Sequence, residues 1–373
     1  MMGPLRVAQV VGRMTGGGVE ATVLNHYRHI DRSQVQFDFV VLEDSTVVPT
    51  DEITALGGRV FFVPTYKRLS QYLRECERLF REIRPVIVHS HVNALSVFPL
   101  MAAKHAAVPV RIAHSHSTSN PREYAKNAVK TVLKPFATVY PTHYAACAMH
   151  TARWLFGKKL ADSGKVRIIH NAIDPNAFRF NKTVRDVVRK ELGVQPNQLV
   201  IGQIGRLCFQ KNPLFTLDVF SKLLRKRSDA VLVFIGDGEM REQVEARIHE
   251  LGIENSVRLL GVRQDVSKFY QALDVLMFPS TYEGLGMVAV EAQAAGLPVL
   301  ASSFVPQEVV LIPELVAFLS LRDSNGWVNA LAAVSVSAEH SNEQTRICQS
   351  GYDISDSARE LCDWYLTLAA TIS

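Results

Sequence analysis

Cysteine is scarce in this chain and shows no pattern. Only five of the 373 residues are cysteine (Cys76, Cys147, Cys208, Cys348 and Cys362), and no two form a CxxC pair. An odd, scattered set excludes a disulfide framework and a thiolate zinc site and points to a reducing compartment. Long apolar runs are missing too. The longest apolar region, Leu297 to Leu321, is broken by Pro298, Pro306, Glu308 and Pro313, whereas a membrane-spanning helix needs about 20 apolar residues in succession. The opening MMGPLRVAQVVGRM has no signal-peptide pattern and reads as a buried first strand. There is no GxGxxG, no GxxxxGK[ST] and no Asp-x-Asp. These absences argue against dinucleotide-dependent redox chemistry, a P-loop and a carboxylate-held metal.

Acidic residues are nearly absent from one long stretch: between Ile83 and Ala161 the only one is Glu123. Residues 1–170 hold 22 Lys and Arg against 12 Asp and Glu, and residues 171–373 hold 19 against 24. The two halves are therefore expected to face different partners. The overall formal charge of +5 is too small to argue for nucleic acid. With 47% hydrophobic and 21% charged residues the composition is that of a soluble globular protein, long enough for two domains.

What the chain does have is alternation. Short Val/Ile-rich runs such as LRVAQVV (5–11), FDFVVL (37–42), PVIVHS (85–90) and PVRIAHS (109–115) are separated by helical patterns. The alternation restarts after about residue 175 with QLVIGQIG (198–205), AVLVFIGDG (230–238), DVLMFPS (274–280) and LPVLAS (297–302). This predicts two Rossmann-like α/β domains whose ligands bind beyond the carboxyl ends of parallel strands.

Several constellations fall at those strand ends. Gly16, Gly17 and Gly18 follow the first strand and precede a helix, which suits close approach of an anion. His89-Ser90-His91 and His114-Ser115-His116 end two further strands. Four histidines raise the question of a metal, but no Cys or carboxylate partner stands nearby and the segment is basic, so substrate contact or hydrogen-bonded strand ends are the alternatives. Arg206 and Lys211 lie between a strand and a helix, a bidentate fork and a point charge suited to a diphosphate. Gly236 opens a similar turn. Glu283 falls in a loop and Glu291 in the helix after it, with Gly284 and Gly286 leaving amides accessible between them.

The string P-S-T-Y-E-G-L-G-M-V-A-V-E-A-Q-A-A-G-L-P-V resembles the signature of the retaining glycosyltransferases of the GT-B fold, family 4. The glycine-rich loop with Glu20, I-I-H-N-A-I-D, G-R-L with K-N, G-D-G-E and R-Q-D-V extend the resemblance over nearly the whole chain. Bacterial exopolysaccharide, capsule and lipopolysaccharide enzymes, which share R-I-A-H-S-H, are the most similar members. The resemblance implies two Rossmann-like domains with parallel sheets facing a central cleft. Residues 1–175, completed by a last helix near 355–373, would bind the acceptor, and residues 176–354 the donor. Arg206 and Lys211 would hold the donor diphosphate, Glu291 the ribose and Glu283 the hydroxyls of the transferred sugar. Amides of Gly286, Met287 and Val288 would cap the phosphate, and Val262 and Arg263 would lie near the base. The Gly16–Gly18 loop would face the diphosphate, and either His114 or His116 would be catalytic. Ala172 departs from the glycine usual in the linker.

The expected reaction moves a sugar with retention from a nucleotide-sugar, a UDP-sugar, to a saccharide or lipid-linked saccharide in cell-surface polysaccharide synthesis. No metal and no cofactor are expected. A sugar-nucleotide 2-epimerase shares the architecture and is the alternative. Arg122, Lys126, Lys130 and Lys134 are spaced by four beside Ala125, Val129, Val132 and Leu133, with Arg74, Arg78 and Arg81 on another helix. This basic stripe suggests reversible docking of a cytoplasmic protein on the anionic inner leaflet.

Overall fold

The computed structural model describes residues 3–118, 124–337 and 339–372. The chain divides into two compact units, Met1–Ile173 with Gly351–Ser373, and Asp174–Ser350.

The first unit carries strands β1 (Leu5–Gly12), β2 (Val35–Leu42), β3 (Arg59–Val63), β4 (Ile87–Ser90), β5 (Val110–Ser115), β6 (His143–Ala146) and β7 (Val166–Ile168). They form one sheet in the order β3-β2-β1-β4-β5-β6-β7, and every pairing is parallel. All eight residues of β2 are buried. A strand covered on both faces needs apolar side chains on both, hence the near-continuous runs in the sequence. One face packs Tyr27, Phe37, Phe39 and Tyr365; the other packs Tyr72, Phe80 and Leu100. Tyr365 belongs to the last helix, Ile354–Ala370, which buries Ala358, Leu361, Tyr365 and Leu368 on one stripe. The Asp353 carboxylate accepts from Ser355 N at its start, a standard N-cap. Ile173 and Asp353 form a parallel bridge, so the chain re-enters the first unit beside the point where it leaves.

The second unit carries β8 (Val200–Ile204), β9 (Val231–Ile235), β10 (Val257–Leu259), β11 (Val275–Phe278), β12 (Val299–Ser302) and β13 (Val316–Leu319). Their order is β10-β9-β8-β11-β12-β13, again parallel throughout. Trp327 is fully buried and meets Phe215 edge-on at 5.6 Å. Asp274 ties the helix Lys182–Glu191 to the sheet: Arg185 and Arg189 both pair with it, and Val200 N donates to it at 2.7 Å.

Both sheets reverse their strand order once, between β1 and β4 and between β8 and β11. The crevice at such a reversal, beyond the carboxyl ends, is where open α/β sheets bind ligands. The loops after β1, β8 and β11 carry the glycine-rich segment, Arg206 with Lys211, and Glu283, and the first His-Ser-His ends β4.

Strand β13 was not expected, because prolines punctuate its approach. They lie outside it: Pro306 precedes the turn Gln307–Val309 and Pro313 starts the turn Pro313–Leu315. The apolar run 165–174 forms a strand only over Val166–Ile168, where β6 offers a partner. The basic helix is observed as Tyr124–Leu133, and Lys134 falls in the 3-10 turn Lys134–Phe136 that Pro135 imposes. Arg122 and the side chains of Ala125 and Lys126 lie outside the described residues. On the helix Leu69–Ile83, Arg78 pairs with Glu75 and Glu82 and Arg81 with Glu77, whereas Arg74 is exposed and pairs with no carboxylate among the described residues.

Candidate active site

In the second unit the loops after β8, β9 and β11 converge on one set of charges. After β8 the chain turns at Gly205, φ +131°, and places Arg206 and Lys211 before the helix Pro213–Leu224. Next to it Gly236 also has φ +131°, and a Cβ there would come within 2.2 Å of the Gly205 carbonyl oxygen. Only glycine allows these two turns to lie against each other. After β11, Gly286 (φ +101°) starts the helix Met287–Ala294.

Lys211 Nζ lies 2.6 Å from Glu283 Oε1 and 4.9 Å from the Phe278 ring centre. The Glu283 carboxylate also accepts from Ser280 Oγ (2.8 Å) and Gln210 Nε2 (3.0 Å). Three donors hold it as a rigid acceptor. Glu291, one turn into its helix, accepts from Tyr270 Oη at 2.6 Å. Burial raises its carboxyl above the ordinary value, and Tyr270 and the Lys211 charge work against that rise. Arg206 is exposed. Val262 is 74% exposed beyond β10, while Arg263 is held by Asp265 and Glu191 and lies over Phe269.

In the first unit the amides of the glycine-rich loop are occupied. The Glu20 carboxylate accepts from Thr15 N (2.9 Å), Gly16 N (2.6 Å) and Gly17 N (2.8 Å). The loop builds an anion nest and fills it with its own side chain.

The histidines follow from strand alternation. Gln9 and His89 are in register on β1 and β4, so their side chains share a face with His91, His114 and His116, while Ser90 and Ser115 point to the other face. All four rings are buried. Desolvation, helped by neighbouring imidazoles, lowers their pKa values well below the usual 6.5, that of His116 to about 3. They are therefore neutral. Nitrogens of His89, His91 and His114 come within 4.8 Å of one another, the geometry of a possible ion site among the described residues. An ion there would have to break the 3.0 Å contact between His89 Nε2 and His114 Nδ1.

Two family descriptions match the chain, Glycosyltransferase Family 4 over residues 16–177 and Glycosyl transferases group 1 over residues 184–335. EpsF of Bacillus subtilis (strain 168), itself a provisionally assigned glycosyltransferase, is 31% identical over 368 residues, 96% of each chain. The chain belongs to the family-4 glycosyltransferases of the GT-B fold. This glycosyltransferase is also 26% identical over 344 residues, 89% of its length and 88% of the other, to an Escherichia coli enzyme. That enzyme is the UDP-Gal:alpha-D-GlcNAc-diphosphoundecaprenol alpha-1,3-galactosyltransferase. In fold it is similar to Anabaena HepE in complex with UDP-glucose, with a TM-score of 0.73 at 18% identity over 99% of this chain and 98% of that one.

Within the glycosyltransferase, the structure brings Arg206, Lys211, Gly236, Glu283, Gly286 and Glu291 to the carboxyl ends of one sheet. Met287 and Val288 begin the helix there, and Val262 and Arg263 follow β10. Sequence reading missed the groups that hold these residues. Gln210 and Tyr270 carry no motif, and Ser280 lies inside the signature string, which by itself assigns it no role. Gln9, the one polar side chain among the buried residues of β1, is a signal visible in the run LRVAQVV. Tyr365, in the closing helix, carries no such signal and packs against His89.

Proposed function

We propose that this glycosyltransferase transfers a sugar from a UDP-sugar to a saccharide acceptor in cell-surface polysaccharide synthesis, with retention and without a metal. The observation that carries the reading is the pairing of Lys211 with Glu283 across the strand-order reversal, beside the exposed Arg206. A nucleotide-sugar already has a good leaving group. The chemical task is to stabilise charge on the departing diphosphate while the anomeric carbon becomes electron-poor. Arg206, Lys211 and the amides at Gly286, Met287 and Val288 suit the first requirement, each such group being worth about 10²–10³ in rate. Glu283, rigid on its three donors, suits the hydroxyls of the transferred sugar, and Glu291 a ribose. The polysaccharide context rests on the likeness to the Vi polysaccharide biosynthesis protein VipC/TviE of Salmonella typhi, 28% identical over 155 residues. The lipid-linked acceptor rests on the Escherichia coli relative, whose name specifies a diphosphoundecaprenol substrate.

Docking on the inner leaflet is part of the proposal. Val129, Val132, Phe136 and Val139 are about half or more exposed in a segment with Lys130 and Lys134. Among the described residues no helix is long and apolar enough to cross a membrane. A panel of nucleotide-sugars tested for transfer, with the anomeric configuration of the product read by NMR and the assay repeated in excess chelator, checks the chemistry. Inversion, or activity abolished by chelator and restored by magnesium, would overturn the corresponding clause. Co-sedimentation with liposomes checks the surface; binding indifferent to anionic lipid and to salt would remove it.

A further inference from the structure

Four imidazoles, an amide and a phenol of the first unit form two hydrogen-bonded branches that start at Gln9. In one, Gln9 Nε2 donates to Tyr365 Oη at 3.0 Å, Tyr365 Oη lies 2.6 Å from His89 Nδ1, and His89 Nε2 lies 3.0 Å from His114 Nδ1. In the other, Gln9 Oε1 lies 2.8 Å from His91 Nε2, and His91 Nδ1 lies 2.9 Å from His116 Nε2.

A neutral imidazole has one proton, so it donates at one nitrogen and accepts at the other. Polarity therefore passes from ring to ring. The phenol accepts from Gln9 and gives its own proton to His89 Nδ1. His89 then donates from Nε2, His114 accepts at Nδ1, and the proton of His114 sits on Nε2. On the second branch His91 donates from Nε2 to Gln9 and accepts at Nδ1 from His116 Nε2, which leaves a lone pair on His116 Nδ1. The two end atoms, His114 Nε2 and His116 Nδ1, are buried without a hydrogen-bond partner among the described residues. Their rings stack with centres 3.9 Å apart. A cavity of about 10 Å³ is lined by Gln9, Tyr365 and all four histidines, room for about one oxygen-sized group. Asn171 adjoins His116, and its amide serves either polarity.

We propose that Gln9 and Tyr365 are positioning residues that fix all four rings as Nε2–H tautomers, so that His114 offers a donor and His116 an acceptor to one hydroxyl oxygen. A hydroxyl accepts and donates at once, so it answers both ends. In the buried cavity one water supplies it. None of this rests on the glycosyl-transfer reading.

Turning the Gln9 amide over would reverse every ring to Nδ1–H, so the polarity is measurable. The experiment is a long-range proton–nitrogen correlation spectrum of the full chain labelled with 15N-histidine. All four buried rings are expected as Nε2–H. Tyr365→Phe should release His89 and His114 to populate Nδ1–H while His91 and His116 keep Nε2–H. Gln9→Met, which severs both branches, should release all four and serves if the first variant does not fold. Four Nδ1–H rings, metal-bound shifts that chelator removes, or spectra unchanged in both variants would overturn the relay. The tautomers are read without turnover, so the test is independent of the glycosyl-transfer reading.

Discussion

Lys211 Nζ and Glu283 Oε1 lie 2.6 Å apart although 72 positions separate them in the chain. The pair spans the gap between the loops after β8 and β11, where the order of the second sheet reverses. Each side chain is largely buried, 15% and 6% exposed, so each depends on the other. Removing one partner of such a pair leaves an uncompensated charge and costs about 3 kcal/mol. Lys211→Ala is expected to lower stability by that order and to weaken UDP binding about tenfold, which is 1.4 kcal/mol. Glu283→Gln keeps the shape and should retain UDP affinity while turnover falls. Calorimetric titration with UDP beside urea denaturation checks both; unchanged affinity in Lys211→Ala would remove it from the diphosphate site.

Arg206 separates binding from folding more cleanly. It is exposed, so Arg206→Ala should change stability by less than about 0.5 kcal/mol. UDP affinity should nevertheless fall, and its salt dependence should weaken with the lost charge. Titration at two ionic strengths provides the measurement. Affinity equal to that of the parent protein at low salt would count against a diphosphate contact.

Glu20 tests the self-filled nest of the glycine-rich loop. Its carboxylate accepts from three consecutive amides at the start of the helix Gly18–His29. Glu20→Ala leaves those amides without a charge-assisted acceptor and should cost about 2 kcal/mol. Urea midpoints for the two proteins decide it. A difference under about 0.5 kcal/mol would mean that water replaces the carboxylate without loss.

The buried histidines set an acid limit on stability. His89, His91, His114 and His116 have folded pKa values below the unfolded 6.5. Below pH 6.5 the unfolded chain therefore binds protons that the folded one refuses. Stability from these rings is complete above pH 6.5 and falls as pH drops, by at most about 1.4 kcal/mol per pH unit for each ring. For His116 the loss continues down to about pH 3. Denaturation midpoints measured from pH 7.5 to 5 should decline, and Tyr365→Phe should leave the slope in place, since burial rather than hydrogen bonding sets it. A flat profile would show that the cluster admits protons while folded.

Local chemistry is enough to read much of this protein from its residues. Apolar runs of four to eight residues separated by helical patterns predict parallel strands because each strand must be apolar on both faces; β9 meets that description residue by residue, and β2 does so except at the buried Gln36 and Asp38. Gly205, Gly236 and Gly286 announce turns because their backbone conformations exclude a Cβ. The positions of Arg206, Lys211, Glu283 and Glu291 were legible for the same reason: they follow strands, and strand ends are where such sheets bind. What the linear order does not contain is which strands are neighbours. β8 lies beside β11 rather than beside β10, and that placement alone brings Lys211 to Glu283 and Gln210 to Tyr282. The same holds for β1 beside β4 and for the return of the last helix to the first unit. Those two events turn Gln9, Tyr365 and two His-Ser-His triplets into one hydrogen-bonded cluster. Ring polarity in that cluster is set by partners as far as 356 positions away, so no local pattern encodes it; only packing decides which nitrogen holds the proton.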